Sequence, residues 1–285
     1  MRGSVIPFLL TLGLLLWPAL DQAPASQQAA SRVALAAVTD PANRPYVDVG
    51  PDDFVIQEAG TAREVLSVRP ADYPIIVLVD TGDDPRGEFE LMRKAAAHFI
   101  DRVGQRPIAI GTLGATPAML TGFEDEREEV DAKLASLAPQ AGAASALLQG
   151  TALAAARIKE TGALFSAIVI LSAAAQDASS GTVEELSAPV VDSGAAVHVV
   201  ANRPGPAAAG GARTPIQSLA AQTHGEFTTV YAAASYQAAL DRLADRMNAE
   251  MMIEYLVPVG STPRDVKVGI KIIGARVRGL GVAPK

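Results

Sequence analysis

Between residues 73 and 248, short unbroken apolar runs alternate with stretches in which apolar residues recur every three or four positions. The run Ile75-Ile76-Val77-Leu78-Val79 contains no polar residue and stops at Asp80-Thr81-Gly82. A β-branched run of this kind fits a central strand covered on both faces. Phe89, Met92, Ala96, Phe99, Ile100 and Val103 follow at helical spacing, with Gly104 placed to end the helix. Further strands are predicted over 108–113, 167–171, 196–200 and 227–230. The helices between them carry their own start signals. Asp125 with Glu128 reads as a capping box ahead of Val130, Leu134 and Leu137. A helix is predicted over 145–160. Thr182 with Glu185 opens another, ended by Gly194. Thr214-Pro215-Ile216-Gln217 starts the next, after a Pro/Ala/Gly-rich loop over 204–211. Ser235 is expected to cap the last, which carries Tyr236, Leu240, Leu243 and Met247. Such alternation predicts a three-layer, doubly wound, Rossmann-like α/β fold around a mainly parallel sheet.

The flanks have a different rhythm. Strands are predicted over 33–39, 52–58 and 64–68 before the α/β block, and over 253–259 and 266–273 after it, the last two joined by a Gly-Ser-Thr-Pro turn. The terminal pair is expected to form a hairpin that pairs with the N-terminal strands. Both chain ends would then build one small β domain, with the α/β domain inserted between its halves. The corresponding boundaries are 32–71, 72–249 and 250–285.

The first 31 residues change the picture of where the chain works. Arg2 precedes an apolar run over 5–17, and Ala23-Pro24-Ala25 offers a small-residue cleavage site before Ser26. This pattern reads as a signal peptide over 1–25 and a linker over 26–31, and implies a secreted or periplasmic protein. The alternative is an uncleaved anchor, although the run falls short of the roughly 20 apolar residues a span needs. No other segment is apolar enough for a span.

Composition removes several function classes. The chain is 49% apolar and 19% charged, enough for a sizeable core. Its net charge of −7 and lack of basic clusters argue against nucleic acid or anionic membrane surfaces as partners. With no cysteine, disulfides, thiol catalysis and thiolate metal sites are excluded. His98, His198 and His224 fall on a helix, in a strand and near a turn, none at metal-ligand spacing from another. Neither a G-x-S-x-G motif nor a glycine-rich phosphate loop is present. The charged stretch over 124–129 reads as the solvated start of a helix.

The chemistry-bearing candidate is Asp80-Thr81-Gly82-Asp83-Asp84, directly after the first central strand. Ligands of open parallel sheets bind at the carboxyl ends of the strands. Clustered carboxylates need a cation or donors to offset their repulsion. A solvated loop whose aspartates cap the following helix accounts for the same residues. A third reading is an aspartic peptidase in which Asp80-Thr81-Gly82 and Asp192-Ser193-Gly194 supply two facing carboxylates. Against it, Asp80 opens a long helix and Gly194 reads as a helix C-cap.

Strand, Asp-x-Ser-x-Ser, helix is how the von Willebrand factor A domain builds its metal-ion-dependent adhesion site, and this segment resembles it. The pieces V-A-L-A-A-V-T-D-P and D-D-F-V-I-Q-E-A-G resemble the strands ahead of the A domain in a group of secreted bacterial A-domain proteins. M-I-E-Y-L-V-P-V, V-K-V-G-I-K-I and A-R-V-R-G resemble that group's closing strands. Position by position, the first aspartate of the motif matches Asp80, while the two serine positions hold Gly82 and Asp84. The distant threonine position falls on Ser145, and the late aspartate falls near Ser172-Ala173, where no carboxylate stands. The resemblance implies protein or matrix binding outside the cytoplasm and no reaction. Binding would fall to the loops over 80–86, 141–145 and 172–180, with Asp80, Gly82, Asp83, Asp84, Ser145 and Ser172 at the site. It also implies a degenerate metal site with no resident cofactor. The alternative is a divalent cation such as Mg2+ held by Asp80, Asp84 and Ser145.

Overall fold

A computed structural model describes residues 29–46, 48–84, 87–202 and 213–283. The segment read as a signal peptide (1–25), residues 26–28 of the expected linker, Pro85, Arg86 and the loop over 204–211 lie outside the described residues.

The central sheet has six strands. They are β5 (Ile75–Val79), β6 (Ile108–Thr112), β7 (Ala118–Met119), β8 (Ala167–Ser172), β9 (Ala196–Asn202) and β10 (Phe227–Val230), in the order β10-β9-β8-β5-β6-β7. The first five strands in that order run parallel and β7 pairs antiparallel with β6. Successive residues of a strand point to opposite faces, and β5 uses this to hold two cores apart. Val77 and Val79 pack with α1 (Phe89–Arg102), α2 (Arg127–Ala135) and α6 (Ser235–Asn248). Ile76 and Leu78 pack with α3 (Leu147–Thr161), α4 (Val183–Ser193) and α5 (Pro215–Gln222) on the other face. Each large side chain fully buried this way, Phe99 for example, contributes about 1.5–3 kcal/mol. The turn between α5 and β10 lies hard against β9, since a Cβ on Gly225 would sit 1.8 Å from the Val197 carbonyl oxygen.

The chain ends build two antiparallel sheets. One is β13-β1-β11-β4, from β1 (Ala29–Thr39), β4 (Val65–Pro70), β11 (Glu250–Pro258) and β13 (Arg276–Val282). The other is β12-β2-β3, from β2 (Phe54–Glu58), β3 (Thr61–Arg63) and β12 (Val266–Ile270). Alternation again sorts the side chains. Ala34, Ala36, Ile253 and Tyr255 face the second sheet, where they meet Phe54 and Ile56. Leu35 and Met252 turn the other way and join the core under α1 and α6. The chain enters the α/β unit at Tyr73 and leaves it at Glu250, and the two crossings are tied. The Tyr73 hydroxyl donates to Glu250 Oε2 at 2.5 Å, and the Arg106 guanidinium lies 4.6 Å above the Tyr73 ring.

Several expectations need correction. The terminal strands are not a hairpin: β11 pairs with β1 and β4, whereas β12 crosses to pair with β2 in the other sheet. The strand β1 begins at Ala29, inside the segment expected to be linker. Asp125 does not cap α2; it accepts from the Gly122 amide at 2.8 Å, and the N-cap position is Glu126. Ser235 is the first residue of α6 and makes no capping bond. The boxes Thr182/Glu185 and Thr214/Gln217 form as expected, each with both reciprocal bonds. The two-residue strand β7 carries no period that a sequence pattern could detect.

Candidate functional site

The parallel ladder delivers Asp80 to the carboxyl end of the sheet. Its amide still donates to the Leu171 carbonyl at 2.9 Å, one step beyond β5. Its side chain is fully buried. A buried carboxylate is tolerated only when donors or a cation satisfy its lone pairs, and here protein donors surround it. Oδ1 accepts from the Gly82 amide at 3.0 Å and from the Ser145 hydroxyl. Oδ2 accepts from the Ser172 hydroxyl at 2.6 Å and from the amides of Ala173 and Ala174, each at 3.2 Å. Five donors therefore converge on one carboxylate, from the segments that follow β5 and β8 and precede α3.

Gly82 belongs to this closure. A Cβ there would lie 2.2 Å from Ser145 Oγ and 3.2 Å from Asp80 Oδ1. The space that a serine at this position would need is occupied by the Ser145 hydroxyl. Asp83 anchors the loop through its backbone, donating to the Ala143 carbonyl at 2.8 Å. Asp84 is exposed, and its Oδ2 accepts from the Ala175 amide at 2.9 Å. Three successive amides, at 173, 174 and 175, thus bind carboxylates of the segment after β5.

Ser145 does not begin α3 as expected; the helix starts at Leu147, and Ala146 in the N-cap position makes no side-chain cap. The orphan amides of the first turn are filled from elsewhere. Asp177 accepts from Leu147 and Leu148 at 2.8 and 3.3 Å, and the Ser179 hydroxyl oxygen accepts from Gln149 at 2.9 Å. The Ala178 amide donates to the Ser145 carbonyl at 2.9 Å. A carboxylate at a helix N-terminus also meets the positive end of the helix dipole. Asp177 had no local signal, because its partner amides lie 30 and 29 residues away.

The residues present do not fit the adhesion-site cation. A Mg2+ ion takes about six oxygens in near-octahedral geometry. Gly82 and Ala173 supply no side-chain oxygen, Asp80 is saturated by five donors, and the Ser145 and Ser172 hydroxyls are turned toward it as donors. Among the described residues, no group of three or more His, Asp or Glu side chains is arranged to hold a metal. The expected set Asp80, Asp84 and Ser145 thus comes together as a hydrogen-bonded closure of loops.

The peptidase arrangement is overturned. Asp192 is exposed near the end of α4 and borders a cleft at the amino end of the sheet with Ser166 and Ala196. Asp80 is buried at the carboxyl end, so the two carboxylates have no common water to share.

That cleft, of about 880 Å3, lies where the α/β unit meets β13. His198, in β9, lines it. Burial and then the nearby Arg246 push the imidazole pKa down to about 3, so the ring is neutral at ordinary pH. Its Nδ1 is buried without a hydrogen-bond partner. The sequence placed this residue in a strand but gave no sign of the cleft, whose lining comes from segments far apart in the chain.

No family model matches the chain, and no curated protein matches it. Similar solved structures supply the comparison. The von Willebrand factor type A protein from Catenulispora acidiphila superposes with a TM-score of 0.52 at 13% identity, covering 92% of this chain and 74% of that one. Proximal thread matrix protein 1 from the mussel byssus gives 0.53 at 11% identity, covering 71% of this chain and 49% of that one. Its form with a zinc-occupied MIDAS motif gives 0.54 at 12% identity, over 66% and 48%. The chain therefore spans about half the length of the mussel protein. At these identities the likeness establishes the fold, with the adhesion motif degenerate at Gly82 and near Ala173.

Proposed function

We propose that this von Willebrand factor A-like chain is an exported protein-binding module of the adhesion or scaffold type that engages its ligand without a metal ion. The observation that carries this reading is the saturation of Asp80 by two serine hydroxyls and three amides. In a metal-dependent site those oxygens would be directed to a cation and the ligand would complete its shell. Here the same residues hold three loops in one conformation, and recognition falls to what the loops display.

In this reading Asp80, Gly82, Ser145 and Ser172 form the buried frame, and Asp83 and Asp84 stand at its rim. The partner is a protein or matrix-like ligand, met outside the cytoplasm as the signal-like N-terminus suggests. The mussel relative's name describes a thread matrix protein, which agrees with this class. No helix among the described residues is long and apolar enough to cross a membrane. A pre-formed face suits protein recognition, because little ordering entropy is lost on binding.

The test is calorimetry and thermal unfolding of the full chain with Mg2+, Mn2+ and Ca2+, alongside capture from an envelope extract with and without chelator. The expected result is no binding heat, no thermal shift and chelator-insensitive capture. A cation-dependent rise in Tm that Asp84→Asn removes would instead establish the cation-dependent module built on Asp80, Asp84 and Ser145.

A further inference from the structure

We propose that the cleft between the amino end of the parallel sheet and β13 is a second binding site, which takes a small organic anion: a carboxylate head at Arg246, Arg278 and His198, with an apolar body against the apolar side chains that share the cleft. This goes beyond the protein-binding face, which lies at the other end of the sheet, and does not depend on it.

The cleft has the size and place of a ligand site. At about 880 Å3 it falls within the roughly 300–1,000 Å3 of small-molecule pockets, which favour seams between structural units. Part of its lining is apolar: Leu164, Phe165, Val191 and Leu280 contribute to it, and Leu164 and Val191 stay 50% and 46% exposed. Charged and polar side chains supply the rest. Arg246 comes from α6, Arg278 from β13 and His198 from β9.

Three features of this cluster point to an oxyanion. Arg278 is exposed and makes no ion pair among the described residues. Arg246 is held below the usual arginine range by burial and then by the like charge of Arg278. An anion between the two guanidiniums would relieve that repulsion with charge-assisted hydrogen bonds. His198 contributes a neutral ring whose Nδ1 is buried and unpartnered, the kind of buried polar atom that calls for an explanation such as a missing ligand.

Three carboxylates also line the cleft, and each is accounted for. Glu226 pairs with Arg246, but both side chains are nearly half exposed, at 46% and 41%, and such pairs are weak enough for a ligand to displace. Glu250 is buried and accepts from the Tyr73 hydroxyl; burial raises its pKa, while that bond and the charges of Arg106, Arg246 and Arg278 act to lower it. Asp192 lies on the α4 side, where α3 and α4 end at Gly162 and Gly194. The head is placed by Arg246, in the last turn of α6, and by Arg278 on β13.

Octanoate is the probe, with octanol as its uncharged counterpart. Binding to the full chain is followed by NMR shifts and calorimetry. Octanoate is expected to shift resonances of Phe165, His198 and Leu280 and to bind about tenfold more tightly than octanol. Arg278→Gln, at an exposed strand position that leaves the fold intact, is expected to weaken octanoate about tenfold while leaving octanol unchanged. Arg246→Gln should act in the same direction, with retained folding checked by circular dichroism. No saturable octanoate binding, equal binding of octanol, or octanoate affinity indifferent to Arg278→Gln would each overturn the proposal.

Discussion

A Cβ on Gly82 would come within 2.2 Å of Ser145 Oγ, so the residue missing from the adhesion motif and the residue that closes the site are one fact seen from two sides. Ser145 reaches Asp80 because nothing projects from position 82. Gly82→Ala and Gly82→Ser are therefore expected to destabilise the fold by about 1–3 kcal/mol, the usual cost of forcing extra atoms into a packed site. Urea unfolding measures this, and adding Ser145→Ala should recover part of the loss. A Gly82→Ala variant as stable as the parent would show that the closure does not exist in solution.

Replacing Asp80 with Asn keeps the shape and removes the charge and one acceptor. Five donors then compete for a single carbonyl oxygen. Each donor left buried without a partner costs about 1–3 kcal/mol, so Asp80→Asn is expected to lower Tm by several degrees, equally with Mg2+ and with chelator. A loss seen only when Mg2+ is present would mean that the carboxylate serves a cation.

Asp177→Ala uncaps α3. The first-turn amides of Leu147 and Leu148 lose their acceptor, at a cost of about 0.5–2 kcal/mol. Hydrogen exchange at those two amides should accelerate by more than exchange at Ala154 and Ala155 deeper in the helix. Unchanged exchange at Leu147 would remove Asp177 from this role.

His198 makes stability depend on pH. Its pKa falls from 6.5 to about 3 on folding, through burial and then Arg246. A depressed folded-state value means the unfolded chain binds the proton first. The contribution is complete above pH 6.5 and is lost as the pH falls from there toward 3, by at most about 1.4 kcal/mol per pH unit. Between pH 7 and 4.5 the parent should lose on the order of 2 kcal/mol more than His198→Gln. An imidazole resonance that titrates near 6.5 would contradict the burial of this ring.

Local signals were readable to the extent that their physics is local. Thr182 with Glu185 and Thr214 with Gln217 bond within three residues, so four letters define each helix start. The same four-letter logic failed at Asp125, where the carboxylate turned back to Gly122. The β12 strand was recognisable as a strand, but its partner was not. Val268 pairs with Ile56, 212 positions away, and an alternating pattern does not say which of two sheets a strand joins. The pseudo-site was half legible: Asp80, Gly82, Ser145 and Ser172 were identified, while Asp177 and the cleft at His198 were not.

By itself the sequence determined the layers, because an unbroken apolar strand such as 75–79 has to be covered on both faces and an amphipathic helix such as 89–102 on one. It also settled which oxygens the adhesion motif lacks. Only the tertiary structure decided what replaces them: the Ser145 and Ser172 hydroxyls reach Asp80 from 65 and 92 residues away. Hydrophobic periodicity is set by neighbours a few residues apart. The partners of a buried carboxylate depend on which loops the folded sheet brings to the same end.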